Sequence, residues 1–432
     1  MAKFFMLFVA PAAILLTSVL PAQDVAAPAE TAPAATLALP ETDEGLPGSG
    51  PIRRYGWFKK LWDQRRGVWA QRIEQDQNAV VFFGDSITQG WGDHFHGAFP
   101  NLKKANRGIS GDTTRGLLLR LDRDVMALNP AAIVLLIGTN DLEEKAEPQT
   151  IADDFALLLK NIRAQSDVPV IVCNVFPSSA SKSRPADKIQ EINKLYAKVA
   201  QQHDHVTVLD TWTLFADEQG NAKREEFPDL LHPNGEGYAK WVAALRPLFA
   251  TLGLIETEPT TFEPEPGFEM LYNGKDLSGW GFRPKGGEVT AFDGRQASPD
   301  GRYVAIGDRI VVTTPREGRR VQQMWTTRKF PGDFVLKLEF RATPNADSGV
   351  FIRKPQLQCR DYPLAGPYKD LKNYKPQDWN ELVITVVGDT AHCTCNGEVL
   401  EAALKLPKTG PIGLEGDRGQ MEYRRIRIQT GS

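Results

Sequence analysis

The stretch AVVFFGDSITQG, residues 79–90, decides the fold of the first half of the chain. Residues 79–83 form a continuous apolar run, which is typical of a strand buried on both faces of a parallel sheet. Gly84 lacks a Cβ and allows a sharp turn at the strand end. The turn presents Ser86 at the carboxyl edge of the sheet, where open α/β folds bind ligands. Such a serine suits a nucleophile, although Asp85 and Ser86 also suit a purely structural turn.

Short apolar runs and amphipathic segments alternate after Ser86 as far as residue 251. The predicted strands lie at 102–106, 132–137, 168–175 and 206–209, and the predicted helices at 113–128, 150–164, 186–203 and 236–251. This alternation indicates βαβ units and a parallel sheet with helices on both faces. We therefore predict a flavodoxin-like, three-layer α/β domain over residues 51–252.

Aromatic and aliphatic side chains recur at roughly helical spacing over residues 55–75. They include Trp57, Trp62 and Trp69. The spacing predicts a helix whose aromatic stripe is either its packing face or a ligand platform. The packing role is favoured, because an apolar stripe of this kind is usually the buried face of a helix.

The pattern changes after a Pro-, Glu- and Thr-rich run, ETEPTTFEPEP at residues 256–266. We assign residues 253–266 to a linker. Beyond it, short segments with many alternating positions are separated by Gly- and Pro-rich turns, at 334–340, 349–352, 382–387 and 424–428. These features predict a second, all-β sandwich domain over residues 267–432.

The first 22 residues are typical of a signal peptide: Lys3 precedes an apolar segment at 4–20, and Pro21-Ala22 offers a small residue for cleavage. An uncleaved membrane anchor is the alternative, because the apolar run approaches spanning length. We predict export to the periplasm or outside the cell, with no stable membrane span after cleavage. Residues 23–50 are rich in Ala, Pro, Glu and Thr and are predicted to be a disordered linker.

Composition excludes some partners. The net charge of −3 provides no basic surface for nucleic acid. The pairs His94-x-His96 and His203-x-His205 have no third ligand nearby, so we predict no metal site.

Four cysteines remain. Export permits a disulfide between Cys359 and either Cys393 or Cys395, which lie on one side of a strand. Cys173 lies in an apolar run and is predicted to be a buried free thiol.

Three further stretches accompany the serine turn: NRGISGD at 106–112, GTND at 138–141 and DLLH at 229–232. With GDS at 84–86 they follow the order of the motif blocks of the SGNH hydrolases, the GDSL-type esterases and acylhydrolases. The chain resembles that family over about residues 79–248. The resemblance is specific, because four separated blocks fall on the loops where the family has them.

The resemblance assigns roles to individual residues. It implies that Ser86 attacks the acyl carbonyl, that His232 transfers the proton, and that Asp229 orients the imidazole. The backbone N–H groups of Ser86 and Gly111 and the side-chain amide of Asn140 would form the oxyanion hole. This chemistry requires no cofactor.

Two features bear on the substrate. The residues that follow the nucleophile are expected to line the acyl or alcohol site, namely Trp91, Asp93, His94, Phe95 and His96. The loop NRGISGDTT also resembles the platelet-activating-factor branch of the family, which keeps that activity or a lysophospholipase activity open.

The region 268–427 resembles a second family, the 3-keto-disaccharide hydrolase domain with a concanavalin-like jelly-roll fold. The resemblance is carried by LYNGKDLSGW at 271–280, DSGVFIR at 347–353, WNE at 379–381, NG at 396–397 and GPIGL at 410–414. The chain departs from the family at 357–360 and 415–418, which favours sugar binding or a structural role over hydrolysis. Trp280, Trp325 and Trp379 are either sugar-stacking residues or core residues.

These observations predict a secreted serine esterase that hydrolyses small acyl esters, above all acetyl esters, with carbohydrates as the expected alcohol. The alternatives are a lysophospholipase or platelet-activating-factor-type acylhydrolase, and a 3-keto-glycoside hydrolase or carbohydrate-binding protein acting through the C-terminal domain. Oligomeric state is not readable from the sequence.

Overall fold

The computed structural model describes residues 37–255, 261–284, 287–313 and 322–431. The predicted signal peptide at 1–22 lies outside these ranges. No helix within them is both long enough and apolar enough to cross a membrane. The elements of the first part are α1 (Gly56–Ala70), β1 (Val80–Gly84), α2 (Ser86–Gly90), β2 (Lys104–Gly108), α3 (Thr114–Asp124), β3 (Ala132–Leu136), α4 (Thr139–Glu143), α5 (Pro148–Gln165), β4 (Val170–Cys173), α6 (Ala186–Ala200), β5 (Val206–Leu209), α7 (Thr211–Phe215) and α8 (Gly235–Thr251).

The strands β1 to β5 form one sheet in the order β2-β1-β3-β4-β5, and every neighbouring pair is parallel. This is the flavodoxin-like strand order, so the predicted fold is confirmed. The order reverses direction between β1 and β3, and the crevice at the carboxyl ends of those two strands is where such sheets bind ligands. Ser86 follows β1 directly and therefore lies at this edge.

Strand β1 is buried on both faces. Val81 and Phe83 pack in one core with side chains of α3, α5 and α6, whereas Val80 and Phe82 pack in another with side chains of α8. All four are fully shielded from solvent. Burial of each such side chain stabilises the fold by about 1.5–3 kcal/mol. The uninterrupted apolar run that predicted this strand is thus explained by cores above and below it.

Helix α1 covers a third, small apolar cluster. Its members are Leu39, Phe58, Trp62, Trp69 and Ile109. Leu39 belongs to the segment 38–50, which composition assigned to a disordered linker. In this segment the backbone N–H groups of Ser49 and Gly50 also donate to the carboxylate of Asp154, both at 2.9 Å. The linker prediction is therefore wrong for residues 38–50, because partners distant in sequence hold this stretch in place.

In its described residues, the second part is an antiparallel β sandwich with one short helix. Its elements are β6 (Glu269–Met270), β7 (Trp280–Phe282), β8 (Thr290–Ala291), β9 (Tyr303–Ile306), β10 (Arg309–Val312), β11 (Met324–Thr326), β12 (Phe334–Ala342), β13 (Asp347–Ile352), β14 (Gln356–Arg360), α9 (Tyr362–Ala365), β15 (Asn380–Val387), β16 (Thr390–Cys395), β17 (Glu398–Lys405), β18 (Ile412–Leu414) and β19 (Met421–Thr430).

Two sheets make up the sandwich. Within the described residues, one has the order β17-β16-β15-β12-β19-β10-β9 with β6 paired to β19, and the other has the order β14-β13-β18-β11-β7-β8. Burial alternates along the first half of β12 and along β15, as expected for strands with one face in the core. The predicted all-β jelly-roll sandwich is confirmed. Trp280 is fully buried and belongs to its core, whereas Trp325 and Trp379 are half-buried.

All four cysteines are buried and free. Cys173 packs between the sheet and α8, as the apolar run around it predicted. Burial raises the pKa of its thiol to about 12, although the neighbouring Trp241 side chain opposes the change. Cys359, Cys393 and Cys395 lie in the sandwich core and form no disulfide.

The two parts make specific contacts. Arg309 donates from Nη2 to the carbonyl oxygen of Ala250 at 3.1 Å, and Gln420 donates from Nε2 to the hydroxyl of Thr251 at 2.9 Å. Of the predicted linker at 253–266, residues 256–260 lie outside the described ranges. Glu265 already pairs with Arg427 at 2.7 Å and so belongs to the sandwich.

Candidate active site

The turn after β1 is built around two close backbone approaches. A Cβ added at Gly84 would lie 2.3 Å from the carbonyl oxygen of Leu136, and one added at Gly108 would lie 2.3 Å from the backbone nitrogen of Gln89. Only glycine fits at both positions. Helix α2, which begins at Ser86, is thereby held tightly against the ends of the central strands.

Asp85 caps helix α2. Its Oδ1 accepts a hydrogen bond from the backbone N–H of Ile87 at 2.9 Å, which satisfies one of the free donors at the helix start. Burial raises the pKa of Asp85 to about 6, although the Ile87 N–H and the nearby charge of Arg184 oppose the change. The structural role that the sequence allowed for this turn therefore applies to Asp85.

Ser86, His232 and Asp229 form a continuous hydrogen-bonded chain. The Nε2 of His232 lies 3.0 Å from the Oγ of Ser86, and its Nδ1 lies 2.7 Å from Oδ2 of Asp229. The side chains of His232 and Asp229 are 44% and 46% exposed, so the chain is open to a substrate. Residues 146 positions apart in sequence thus meet at the carboxyl edge of the sheet.

The loop around Asp229 fixes its carboxylate. Oδ1 accepts hydrogen bonds from the backbone N–H groups of Leu231 and His232, at 3.0 and 2.7 Å. Partial burial disfavours the charged form, but the hydrogen bonds from His232 and Leu231 outweigh it and lower the pKa of Asp229 to about 2. A permanently ionised carboxylate is the group needed to orient an imidazole and to stabilise its protonated form.

Two backbone donors lie free where the neighbouring strands β1 and β2 end. The N–H groups of Ser86 and Gly111 have no hydrogen-bond acceptor among the described residues. Gly111 has a φ of +87°, a conformation that favours glycine. Unsatisfied N–H groups at the sheet edge that carries a serine–histidine pair are suited to bind a developing negative charge.

The side-chain amide of Asn140 is oriented from both sides. Its Nδ2 donates to the carbonyl oxygen of Asp112 at 2.9 Å, and its Oδ1 accepts from Nη2 of Arg184 at 3.0 Å. Arg184 also donates from Nε to the carbonyl oxygen of Thr139 at 3.0 Å. Because a guanidinium only donates, the amide oxygen must face Arg184 and the second amide hydrogen remains available to a ligand. Arg184 was not predicted, since it lies in a loop with no motif around it.

The fully buried guanidinium of Arg120 connects the ends of β1 and β2 beneath the site. It donates to the carbonyl oxygens of Gly84 and Arg107, both at 3.0 Å, and its Nε pairs with Asp112 at 2.8 Å. Breaking a buried pair by removing one partner costs about 3–5 kcal/mol. Arg120 therefore fixes the end of β1, which precedes Ser86, relative to the loop after β2. No local motif around Arg120 indicates this role.

The residues that follow the nucleophile have separate environments. Trp91 and Phe95 are buried, and with His96 and Tyr238 they line a cavity of about 310 Å³. Asp93 does not line this cavity and lies 3.8 Å from both Arg65 and Arg72. His94 is exposed. No group of three or more His, Cys, Asp or Glu side chains in the described ranges is arranged to hold a metal ion.

The sandwich has polar residues where it departs from the family pattern. Glu415 accepts hydrogen bonds from the side-chain amides of Gln323 and Gln356, at 2.7 and 2.6 Å. Burial raises the pKa of Glu415, although Gln323 opposes the change. Trp325 packs on Phe351 nearby, with ring centroids 5.2 Å apart. The half-buried Trp325 and these polar groups are therefore neighbours on one sheet.

Comparisons with known proteins agree with this division. A model of the GDSL-like lipase/acylhydrolase family matches residues 82–240, and a model of the 3-keto-alpha-glucoside-1,2-lyase-like domain matches residues 267–429. The alpha2 subunit of platelet-activating factor acetylhydrolase IB from Homo sapiens is 31% identical over 201 residues, which are 46% of this chain and 86% of that protein. The Bos taurus protein gives the same values. A crystal structure of a GDSL-like lipase from Bacteroides thetaiotaomicron is 26% identical and covers 44% of this chain and 97% of its own, with a TM-score of 0.39.

The fold and these similarities define a hydrolase of ester bonds. The chain belongs to the GDSL-like lipase and acylhydrolase family through its α/β part, and carries a 3-keto-disaccharide hydrolase-like domain as its second part.

Proposed function

We propose that this protein is an exported serine esterase that removes small acyl groups, acetyl groups in particular, from carbohydrates. The observation that carries the proposal is the hydrogen-bonded chain of Ser86, His232 and Asp229, with contacts of 3.0 and 2.7 Å, at the sheet edge where this fold binds ligands. Export rests on the apolar segment at residues 4–20.

The proposed reaction proceeds in two halves. The Oγ of Ser86 attacks the acyl carbon while the Nε2 of His232 takes its proton; the tetrahedral intermediate then collapses, and His232 returns the proton to the departing alcohol oxygen. Water attacks the resulting acyl-enzyme with His232 again as base, which releases the carboxylic acid and restores the serine. Asp229 holds the ring through Nδ1 and balances its charge when it is protonated.

The oxyanion of each intermediate would be held by three donors. These are the backbone N–H groups of Ser86 and Gly111, which have no acceptor in the described chain, and the free amide hydrogen of Asn140. Donors already in place gain their full interaction only when the negative charge develops, so they lower the barrier rather than strengthen ground-state binding.

The carbohydrate part of the proposal is supported by the second domain. The family model that matches this domain is named for a 3-keto-alpha-glucoside-1,2-lyase. In addition, Trp325, Glu415 and two glutamine amides lie together on one of its sheets. Sugar binding there would keep the esterase near acylated glycans by raising its local concentration. The departures at 357–360 and 415–418 favour binding over hydrolysis by this domain.

Replacement of the proposed nucleophile tests the esterase assignment. Ser86→Ala is expected to abolish hydrolysis of p-nitrophenyl acetate and of acetylated xylan without changing the circular dichroism spectrum. Ser166→Ala is a matched control, because Ser166 ends α5 at the opposite edge of the sheet, and it should retain full turnover. Undiminished turnover in folded Ser86→Ala protein would remove the assignment.

A second candidate is hydrolysis of platelet-activating-factor-type lipids. It is favoured by the 31% identity to the acetylhydrolase IB subunit and by the NRGISGDTT loop. The two candidates share the acetyl group and differ in the alcohol. Comparison of kcat/KM for acetylated xylan oligomers and for 1-alkyl-2-acetyl-glycerophosphocholine decides between them.

A further inference from the structure

Two aromatic side chains remain open to solvent where α1 begins. Tyr55 and Trp57 are 51% and 53% exposed, and their rings stack with centroids 6.3 Å apart and an interplanar angle of 15°. The other aromatic side chains of this stretch, Phe58, Trp62 and Trp69, are buried. The aromatic stripe of residues 55–75, for which the sequence allows either packing or ligand binding, is therefore divided. Three of its rings pack inward, and a stacked pair faces water.

The exposed pair borders the proposed oxyanion hole. A Cβ added at Gly111 would lie 2.6 Å from Cη2 of Trp57 and 3.1 Å from Nη1 of Arg53. The edge of the indole thus rests on the glycine whose N–H is free. A substrate whose carbonyl oxygen binds that N–H has its remaining atoms within reach of the indole.

Charged groups surround the aromatic pair. The hydroxyl of Tyr55 lies 3.3 Å from Oε2 of Glu144, whose Oε1 accepts from Nε of Arg53 at 2.7 Å. Arg53 also pairs with Glu143, which accepts from Arg184 at 2.8 Å. These contacts link the platform to the arginine that orients the Asn140 amide.

The chemistry of this surface selects its ligand. A pyranose ring has an apolar C–H face that covers an aromatic ring and hydroxyl groups at its edge that bond to carboxylates and guanidinium groups. An alkyl chain would cover the rings equally well, but it would displace water from Glu143 and Glu144 without replacing the hydrogen bonds of that water, which is costly.

We infer that Tyr55 and Trp57 form a subsite for the sugar ring that bears the ester, with Glu144 accepting hydrogen bonds from its hydroxyl groups. The inference rests on the proposed esterase function and specifies its substrate, a pyranoside acylated on a ring hydroxyl.

The first experiment measures sugar-ester binding in a variant that lacks the proposed nucleophile, so that no ester is hydrolysed during the titration. Full-length Ser86→Ala protein is titrated with methyl mono-O-acetyl-glucopyranoside in a calorimeter. Adding Trp57→Ala should weaken binding by about tenfold, since truncation of a central aromatic contact has an effect of this size. Adding Trp57→Phe, which keeps a ring, should weaken it less. Val68→Ala, a 49% exposed position on the same helix, is the matched control and should leave binding unchanged.

Kinetics with the native serine then test specificity. For Trp57→Ala, the ratio of kcat/KM on the acetylated glucoside to kcat/KM on ethyl acetate should fall about tenfold relative to the unmodified protein. An equal loss on both esters together with unchanged binding overturns the subsite, as does a larger loss on p-nitrophenyl octanoate. If the unmodified protein cleaves neither ester, the esterase proposal fails while the calorimetric comparison still decides the subsite. Tyr55→Ala replaces Trp57→Ala in both assays if the latter does not fold.

Discussion

Replacement of Arg184 by methionine tests how the Asn140 amide is oriented. Methionine is similar in length but donates no hydrogen bond, so the amide oxygen loses its 3.0 Å contact while Nδ2 keeps its 2.9 Å contact with the carbonyl oxygen of Asp112. The amide is then held from one side only. Arg184 touches no proposed reacting atom, so we expect its main effect on catalysis to pass through Asn140, whose amide oxygen it contacts.

The size of the effect follows from the bonds lost. A hydrogen bond from a charged donor contributes about 1.5–3 kcal/mol. If the transition state loses this whole contribution, the activation free energy rises by the same amount. Turnover then falls about 10- to 100-fold, because each 1.36 kcal/mol is a factor of about ten. Asn140→Ala removes the donor outright and should lower turnover by about 10²–10³. The KM should change little in either variant, since the donor acts mainly on the transition state.

A double-mutant cycle with p-nitrophenyl acetate provides the assay. Arg184→Met should lower kcat in the native background and have almost no further effect in Asn140→Ala, whereas Arg184→Lys should recover part of the loss. Arg163→Met is the matched control, because Arg163 donates to the carbonyl oxygen of Val168 at the far edge of the sheet. Equal and additive losses in both backgrounds, in proteins that remain folded, would refute the reasoning.

Two further predictions concern stability. Burial raises the pKa of Asp141 to about 8, so the folded state retains a proton that the unfolded state releases above about pH 4. Thermal stability should therefore fall as the pH rises from about 4 to about 8, and Asp141→Asn should flatten that slope in melts at pH 5 and pH 8; an unchanged slope would contradict the shift. A chain that ends at Ile255 should keep its turnover of p-nitrophenyl acetate and melt at a lower temperature, because Ala250 and Thr251 lose the hydrogen bonds from Arg309 and Gln420. An unchanged midpoint would show that these contacts do not stabilise the α/β part.

The sequence was most informative where structure is local or buried on both sides. Strand β1 was readable because two cores cover it and leave no polar position in its run. The positions of Ser86, Asp229 and His232 followed from motif order and from the rule that parallel strands end at one edge. Helices α4 and α7 were missed, since five residues are too few to show a helical period.

Contacts between distant residues were not readable. Arg184 and Asn140 are 44 positions apart, and Ser49 and Asp154 are 105 apart, so neither pairing leaves a pattern in either segment. Composition alone placed residues 38–50 in a linker because it counts side chains and ignores the backbone donors that bind Asp154. Likewise, helical spacing grouped Trp57 with Trp62, and only the exposure of each ring in the fold, 53% for Trp57 and none for Trp62, separates them.

The buried pair between Arg120 and Asp112 limits how this enzyme can diversify. An insertion or deletion in residues 109–113 would separate the carboxylate from its cation and leave a charge stranded in the interior. The loop that carries His232 depends mainly on bonds among its own few residues. In a library selected for new esters, length changes should therefore accumulate around the histidine loop, while the loop after β2 keeps its length. New substrate specificities would therefore come from changes around His232 and not from the loop after β2.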